Sequence, residues 1–302
     1  MANYILIIFC ISAGFIASKK GHLPPDSYKA TNFFVVYFGI PALMLRYMPS
    51  VHWSSELLVV SLAPLVIWSG AWLFALIYSK IFKVDKATRA VLTVAGGLEN
   101  TMFFGYPLVT TFYGLNAVGT LMLFDLTNTM LFCILGIATV LKAASSEKVK
   151  LTYLAKRIFF FPGFTVCLLV LILSPFFDFS VLNPFLDLIV PAIAPLALFS
   201  IGLQFNFKDV GHTMGHLCAG LTYKLLLAPA LILFICWQLG VKESISGVNV
   251  LLAGTPSHVL VCLLASQFNL NPRLCAMMVA FGIPMALVSE PLWHLLTQYL
   301  LL

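Results

Sequence analysis

Long apolar runs alternate with short polar breaks along the whole chain. A helix needs about 20 apolar residues to cross the hydrocarbon core of a bilayer, since each residue advances it only about 1.5 Å. By that length the pattern predicts ten membrane-spanning helices, over residues 2–18, 30–48, 55–78, 87–112, 116–140, 158–176, 182–204, 213–239, 244–266 and 274–301. Charge and turn residues mark the breaks: Lys19-Lys20-Gly21-His22-Leu23-Pro24-Pro25-Asp26, Ser79-Lys80 through Arg89, and Lys142 through Arg157. Only Tyr113-Gly114-Leu115-Asn116 parts the fourth run from the fifth. The first run, Ala2 to Ser18, has no basic leader and no small-x-small cleavage site before a polar sequence. It therefore reads as a transmembrane helix rather than a signal peptide.

Composition points the same way. Of 302 residues, 61% are hydrophobic and only 9% charged, against about 25% charged in a soluble domain. Mean hydropathy is +1.01. A water-soluble fold could not hide that much apolar surface, so a multi-pass integral membrane protein is expected and nucleic-acid binding is excluded. Seven cysteines (10, 133, 167, 218, 236, 262 and 275) fall in apolar runs without metal-ligand spacing, and read as small buried hydrophobes. No nucleophile motif, phosphate loop or metal-ligand cluster appears, so neither an enzyme nor a cofactor or metal is expected.

Charge distribution orients the spans. With the N-terminus outside, the connections from odd to even spans are cytoplasmic. They hold Lys19, Lys20, Lys29, Lys80, Lys83, Lys86, Arg89, Lys142, Lys148, Lys150, Lys156, Arg157, Lys208 and Arg273, fourteen of the seventeen basic residues. The other side holds Lys242, while Arg46 and Lys224 lie within spans. The positive-inside bias thus places both termini outside a plasma (bacterial inner) membrane and the 141–157 loop inside.

The two halves share short motifs in the same order. Pro41-Ala42-Leu43-Met44-Leu45 aligns with Pro195-Leu196-Ala197-Leu198-Phe199, and Leu62-Ala63-Pro64 with Leu227-Ala228-Pro229. Ala95-Gly96 aligns with Ala253-Gly254, and Leu115-Asn116 with Leu270-Asn271. Five spans per half is an odd number, so the second half enters the membrane inverted. The expected organisation is residues 1–140 as one repeat, 141–157 as a cytoplasmic loop and 158–302 as the second repeat. Inverted repeats are a construction typical of secondary transporters.

Spans four and nine are interrupted near their middles. Span four carries Gly96-Gly97, Glu99-Asn100-Thr101 and Gly105-Tyr106-Pro107; span nine carries Gly254-Thr255-Pro256-Ser257-His258. Proline removes a backbone donor and biases the residue before it away from helix. Unwound backbone is tolerated at membrane depth only where it is buried in protein or lines a cavity. The half-helix ends it creates favour anions at their N-termini, and its free carbonyls favour cations. Paired kinks that serve packing alone are the alternative. Asn100, Glu99, Thr101, Thr255, Pro256, Ser257 and His258 are the candidate substrate-binding residues. Gly96, Gly97, Gly105, Pro107, Gly254 and Pro256 are the expected structural crossover.

The run from Glu99 to Leu108, followed by Tyr113-Gly114, resembles the fourth span of the auxin efflux carrier family, which includes the plant PIN and PILS carriers and many bacterial transporters. Phe199-Ser200-Ile201-Gly202-Leu203 is similar to its seventh-span motif, and Asp125-Leu126-Thr127-Asn128 to the Asp-x-x-Asn of bacterial members. Glu99 stands where the family usually has proline, and Ser257-His258 departs from the plant pattern. The resemblance implies ten helices, with broken helices four and nine crossing at the substrate. It implies a scaffold of spans 1, 2, 6 and 7 and a transport domain of spans 3–5 and 8–10. It also implies elevator-type export of small organic anions, meaning carboxylates and auxin-like acids. A sodium- or proton-coupled symporter of the related bile-acid type, and a transporter-like ligand sensor, are the alternatives. A homodimer is a candidate assembly.

Ionisable residues inside spans are expensive and ask for a reason. Glu99, Asp125, Asn128 and His258 are the candidate ion-coupling residues, for H+ or Na+. Asp125, Asn128 and Thr129 share one helix face, which also suits a hydrogen-bonded helix contact. Arg46 and Lys224 are candidate counter-charges, Arg46 also being placed to snorkel; Glu290 is a further intramembrane acid. The topology makes a direct prediction. Cysteines placed in the 141–157 loop should be labelled from the cytoplasm and a cysteine at Lys242 from outside; labelling of both from one side overturns the ten-span count.

Overall fold

A computed structural model describes residues 2–21, 23–24, 26–51, 56–144, 161–204, 213–259, 261, 265 and 268–301. Residues 145–160, 205–212 and 260–267 except 261 and 265 lie outside that set, and with them most of the predicted 141–157 loop, Lys208 and the later part of the ninth run. The regular elements among the described residues are helices, with one isolated backbone bridge. The helices are α1 (Ala2–Lys19), α2 (Ser27–Tyr47), α3 (Glu56–Ile81), α4 (Lys86–Gly97), α5 (Tyr106–Phe112), α6 (Leu115–Ala144), α7 (Pro162–Leu173), α8 (Phe179–Leu203), α9 (Met214–Gln238), α10 (Glu243–Ala253) and α11 (Pro272–Leu301). Among the described residues six of these, α2, α3, α6, α8, α9 and α11, are long and apolar enough to cross a membrane.

Packing divides the chain into two units, each assembled from three segments. The first comprises Met1–Trp53, Met102–Met122 and Phe159–Phe205; the second comprises Ser54–Thr101, Leu123–Ile158 and Asn206–Leu302. The division cuts the fourth predicted span between Thr101 and Met102 and the fifth between Met122 and Leu123.

Within the first unit, α1 lies against α8 with two glycines at the contact. A Cβ on Gly14 would collide with the carbonyl oxygen of Phe199, and one on Gly202 with the carbonyl oxygen of Ile11. Helices in lipid gain no hydrophobic drive from one another, so close backbone approach across small residues does the work. Beside this contact the buried Ser200 donates to Asn32 Oδ1 at 2.5 Å. Arg46 Nε meets Asp187 Oδ1 at 2.7 Å, so its charge is answered within this unit, by a helix of the other half of the sequence. Before α8, Asp178 accepts from Ser180 N–H at 2.9 Å and Ser180 Oγ at 2.8 Å, which holds its carboxyl below the usual range.

Several helices widen into a π-helical turn just before a proline. Val35–Gly39 precedes Pro41, Thr101–Gly105 precedes Pro107, and Tyr223–Leu227 precedes Pro229. The ring of proline crowds the carbonyl four residues back and supplies no N–H to it, so the preceding turn opens. Of the cysteines described, Cys218 is exposed, against the expectation of burial, because its face of α9 points outward; Cys10, Cys133, Cys167, Cys236 and Cys275 are buried.

Gly14→Val or Gly202→Val should destabilise the first unit by at least about 1–3 kcal/mol, the usual range for overpacking, because rigid backbone, not a movable side chain, blocks the new atoms. Gly215, whose Cβ would meet nothing within 4 Å, is the control: Gly215→Ala should leave thermal unfolding in detergent unchanged or gain up to about 1 kcal/mol.

Candidate functional site

Both chain breaks fall in the second unit. Asp85 starts α4 by accepting the Thr88 N–H at 3.1 Å, a helix cap. The helix ends at Gly96-Gly97. A Cβ on Gly97 would lie 3.1 Å from Trp68 Cα of α3, and one on Gly96 3.2 Å from the Tyr223 ring of α9. The glycine pair thus lets α4 end against two helices at once. Leu98 is extended (φ −125°, ψ 124°) and helical geometry resumes at Thr101. On the other side α10 stops at Ala253, and Pro256 keeps the following residues from continuing it.

The two breaks pair. Glu99 and Ser257 face each other in an antiparallel bridge. Asn100 N–H donates to the Pro256 carbonyl at 3.1 Å, and His258 N–H to the Leu98 carbonyl at 3.1 Å. On the other edge of the first break the Asn128 side chain of α6 pairs with the backbone: its Oδ1 accepts Glu99 N–H at 3.2 Å, and its Nδ2 donates to the Glu99 carbonyl at 2.8 Å. A primary amide offers one donor and one acceptor side by side, as a peptide group does. Ser257 Oγ donates to the Ala95 carbonyl at 2.6 Å, satisfying one of the acceptors a helix leaves open at its C-terminus. Thr255 Oγ1 turns back to the Leu252 carbonyl at 2.7 Å.

Charge converges on the same place. Lys224 Nζ lies 2.5 Å from Glu99 Oε1, and both side chains are fully buried. Lys224 sits in the π-helical turn of α9. Glu290 of α11 is also fully buried, and its carboxyl occupies the space a side chain at Gly254 would fill: a Cβ there would lie 2.5 Å from Glu290 Oε1. Lys224 interacts electrostatically with Glu290 and with His258. His258 stacks on Phe132, with ring centroids 5.7 Å apart and planes 10° from parallel. Thr101 donates to Asp125 Oδ1.

One group at the bridge stays open. The Asn100 side chain is buried, and neither its Nδ2 nor its Oδ1 has a hydrogen-bond partner among the described residues. Glu99 Oε2 and both oxygens of Glu290 share that condition.

The fold therefore gathers Glu99, Asn100, Pro256, Ser257 and His258 at the bridge, with Gly96, Gly97 and Gly254 clearing space around it and Thr255 ending α10 beside it. Asn128 holds the bridge directly, and Asp125 adjoins it through Thr101. Gly105 and Pro107 belong to the turn that follows the break and to the start of α5, in the other packing unit. Lys224, a candidate counter-charge in the sequence, meets the acid Glu99, while Glu290 joins this neighbourhood from outside the predicted site residues. Their signal was present all the same, since an ionisable residue deep in an apolar run needs a partner; which partner was invisible along the chain.

Interrupted helices paired within the protein are a construction typical of membrane transporters. The chain belongs to the membrane transport protein family, the auxin efflux carrier-like family, which it matches over residues 1–294. It is 24% identical over 291 residues to a protein of Methanothermobacter thermautotrophicus named an uncharacterized transporter, with 95% of each chain covered. A protein of Methanocaldococcus jannaschii with the same description is 22% identical over 300 residues, covering 96% of each. The protein is a multi-pass membrane transporter and not an enzyme.

Removing Asn128 isolates the contribution of its amide. Asn128→Ala leaves the N–H and the carbonyl of Glu99 without these partners, at about 1–3 kcal/mol for each buried group left unpaired. Asn128→Asp keeps an acceptor for the N–H but sets a carboxylate against the carbonyl. Both should lower the thermal unfolding midpoint in detergent well below that of Ser61→Ala, which loses only a side-chain bond on α3; a wild-type midpoint for Asn128→Ala would show that the bridge stands without it.

Proposed function

We propose that this transporter is a secondary carrier of small organic anions, carboxylates above all, with its substrate at the meeting of the two broken helices. The observation that carries the reading is the Asn100 amide. Every backbone hydrogen bond described at the first break is made within the protein, yet this buried side chain beside it keeps two donors and an acceptor unused. A buried amide without partners is costly, and a carboxylate ligand would supply acceptors for it. Two further features favour an anion. The half-helix beginning at Thr101 presents its N-terminal N–H groups, and Lys224 supplies a positive charge that Glu99 holds in place until a competing carboxylate arrives.

The paired breaks lie at corresponding points of the two sequence halves, which supports ten spans built as two inverted five-helix repeats. In that arrangement the positive-inside bias sets both termini outside the plasma membrane. An elevator-type mechanism follows, with spans 3–5 and 8–10, which hold the crossover, as the transport body and spans 1, 2, 6 and 7 as the scaffold; the two packing units support this division except for residues 102–122. A carboxylate that displaces Glu99 from Lys224 leaves a negative charge at the site unless a proton or sodium ion enters with it, so we assign coupling to H+ or Na+, with Glu99 and Asp125 as the acids nearest the bridge.

The test is uptake of radiolabelled carboxylates into proteoliposomes under imposed pH, sodium and voltage gradients. Asn100→Ala and Pro256→Ala should express and insert normally. Asn100→Ala should reduce transport about 10- to 100-fold, the equivalent of about 1–3 kcal/mol of lost hydrogen bonding to the substrate. Wild-type transport in both variants removes the crossover from the substrate path.

A further inference from the structure

Three ionisable side chains, Glu99, Lys224 and Glu290, are fully buried inside the second unit, and their charges do not balance. Glu99 and Lys224 neutralise each other at 2.5 Å, both without solvent exposure. Glu290 interacts electrostatically with the same ammonium, is fully buried with its carboxyl against Gly254, and finds no hydrogen-bond donor for either oxygen among the described residues. If all three were ionised, the cluster would carry one uncompensated negative charge on a carboxylate with nothing donating to it. That is the costliest way to bury a carboxyl group.

We propose that Glu290 is a proton-binding site. In this arrangement two carboxylates, Glu99 and Glu290, share one ammonium and one proton. The proton resides on Glu290 while Lys224 is paired with Glu99, and on Glu99 when Lys224 turns to Glu290. In the exchange an O–H bond breaks at Glu290 and one forms at Glu99, and the ammonium keeps its three N–H bonds, so the cluster is neutral in both states. A proton suits the site better than a metal cation: it takes no volume in the space cleared by Gly254, and a second cation would be repelled by Lys224.

The surroundings leave this balance to the three groups. Tyr223, next to Lys224 on α9, spends its hydroxyl on the Ile67 carbonyl at 2.6 Å. His258, from the second break, interacts electrostatically with Lys224 and stacks its ring on Phe132. Asp125 of α6 is held by Thr101. The neighbouring helices α3, α4 and α10 carry charge only near their ends, at Glu56, Lys80, Lys86, Arg89 and Glu243. His294, one turn further along α11, interacts with Glu243. The carrier reading is needed only for the consequence that this proton accompanies transport; the site itself is tested without substrate.

The experiment is an infrared pH titration of the full-length protein in liposomes, with the proton as the probe, reading the carbonyl stretch of protonated carboxylic acids. Wild type should show a buried acid component at neutral pH. Glu290→Gln, the same shape as the protonated acid, should lose that component and keep its thermal midpoint. Glu99→Gln frees Lys224 for Glu290 and should also lose it, which keeps the test open should the first variant not fold. Lys224→Met leaves two acids and no ammonium, so the component should double. A component untouched by Glu290→Gln, retained in Glu99→Gln, or absent from wild type overturns the proposal. No substrate is present, so a failed uptake assay with Asn100→Ala bears on the carrier reading alone.

Discussion

A peptide group taken out of water must find a partner, and in a membrane protein no water is at hand to forgive a missing one. That constraint governs the centre of the second unit. Once Gly96-Gly97 and Pro256 stop two helices, the exposed groups of Leu98, Glu99 and Asn100 have to be answered. They are answered by one another across the bridge to Ser257, and by the amide of Asn128 on the other edge. The unwound segments are therefore not loose. They form the smallest possible sheet, closed on one side by a side chain that imitates a strand. The glycines nearby serve the same end, because α4 delivers Glu99 to this point by approaching α3 and α9 more closely than most Cβ contacts come.

Charge imposes the second condition. Glu99 at this depth is acceptable because Lys224 meets it, and Lys224 is acceptable because Glu99 meets it; removing either leaves a buried charge whose cost exceeds the value of the pair itself. Such a pair is a poor source of stability. Among the described residues the side-chain amide of Asn100 and both carboxyl oxygens of Glu290 are buried without a hydrogen-bond partner.

Much of this was legible in the chain. Apolar runs with polar breaks announce a multi-pass membrane protein, and Gly-Gly, Gly-x-Pro and Thr-Pro announce where helices stop, because glycine and proline act locally through conformational freedom and a missing donor. The motif from Glu99 to Leu108 pointed to the family that the whole-chain match establishes. Local chemistry marked Glu99, Asn100, Pro256, Ser257 and His258 as unusual residues at mid-span before any contact was known.

Partnership is a different kind of information. That Asn128 lends its amide to the backbone of Glu99, that Lys224 answers Glu99 across 125 positions of sequence, and that Glu290 fills the space Gly254 leaves are facts of packing. A sequence states what each residue needs, since burial of a charge or an unpaired amide carries the same cost wherever it occurs. It does not state which of several eligible residues will be near enough to meet the need, because that depends on distances set by the whole fold. Sequence alone determined a helical membrane protein with two breaks and a short set of residues in need of partners; only the tertiary structure decided the pairs.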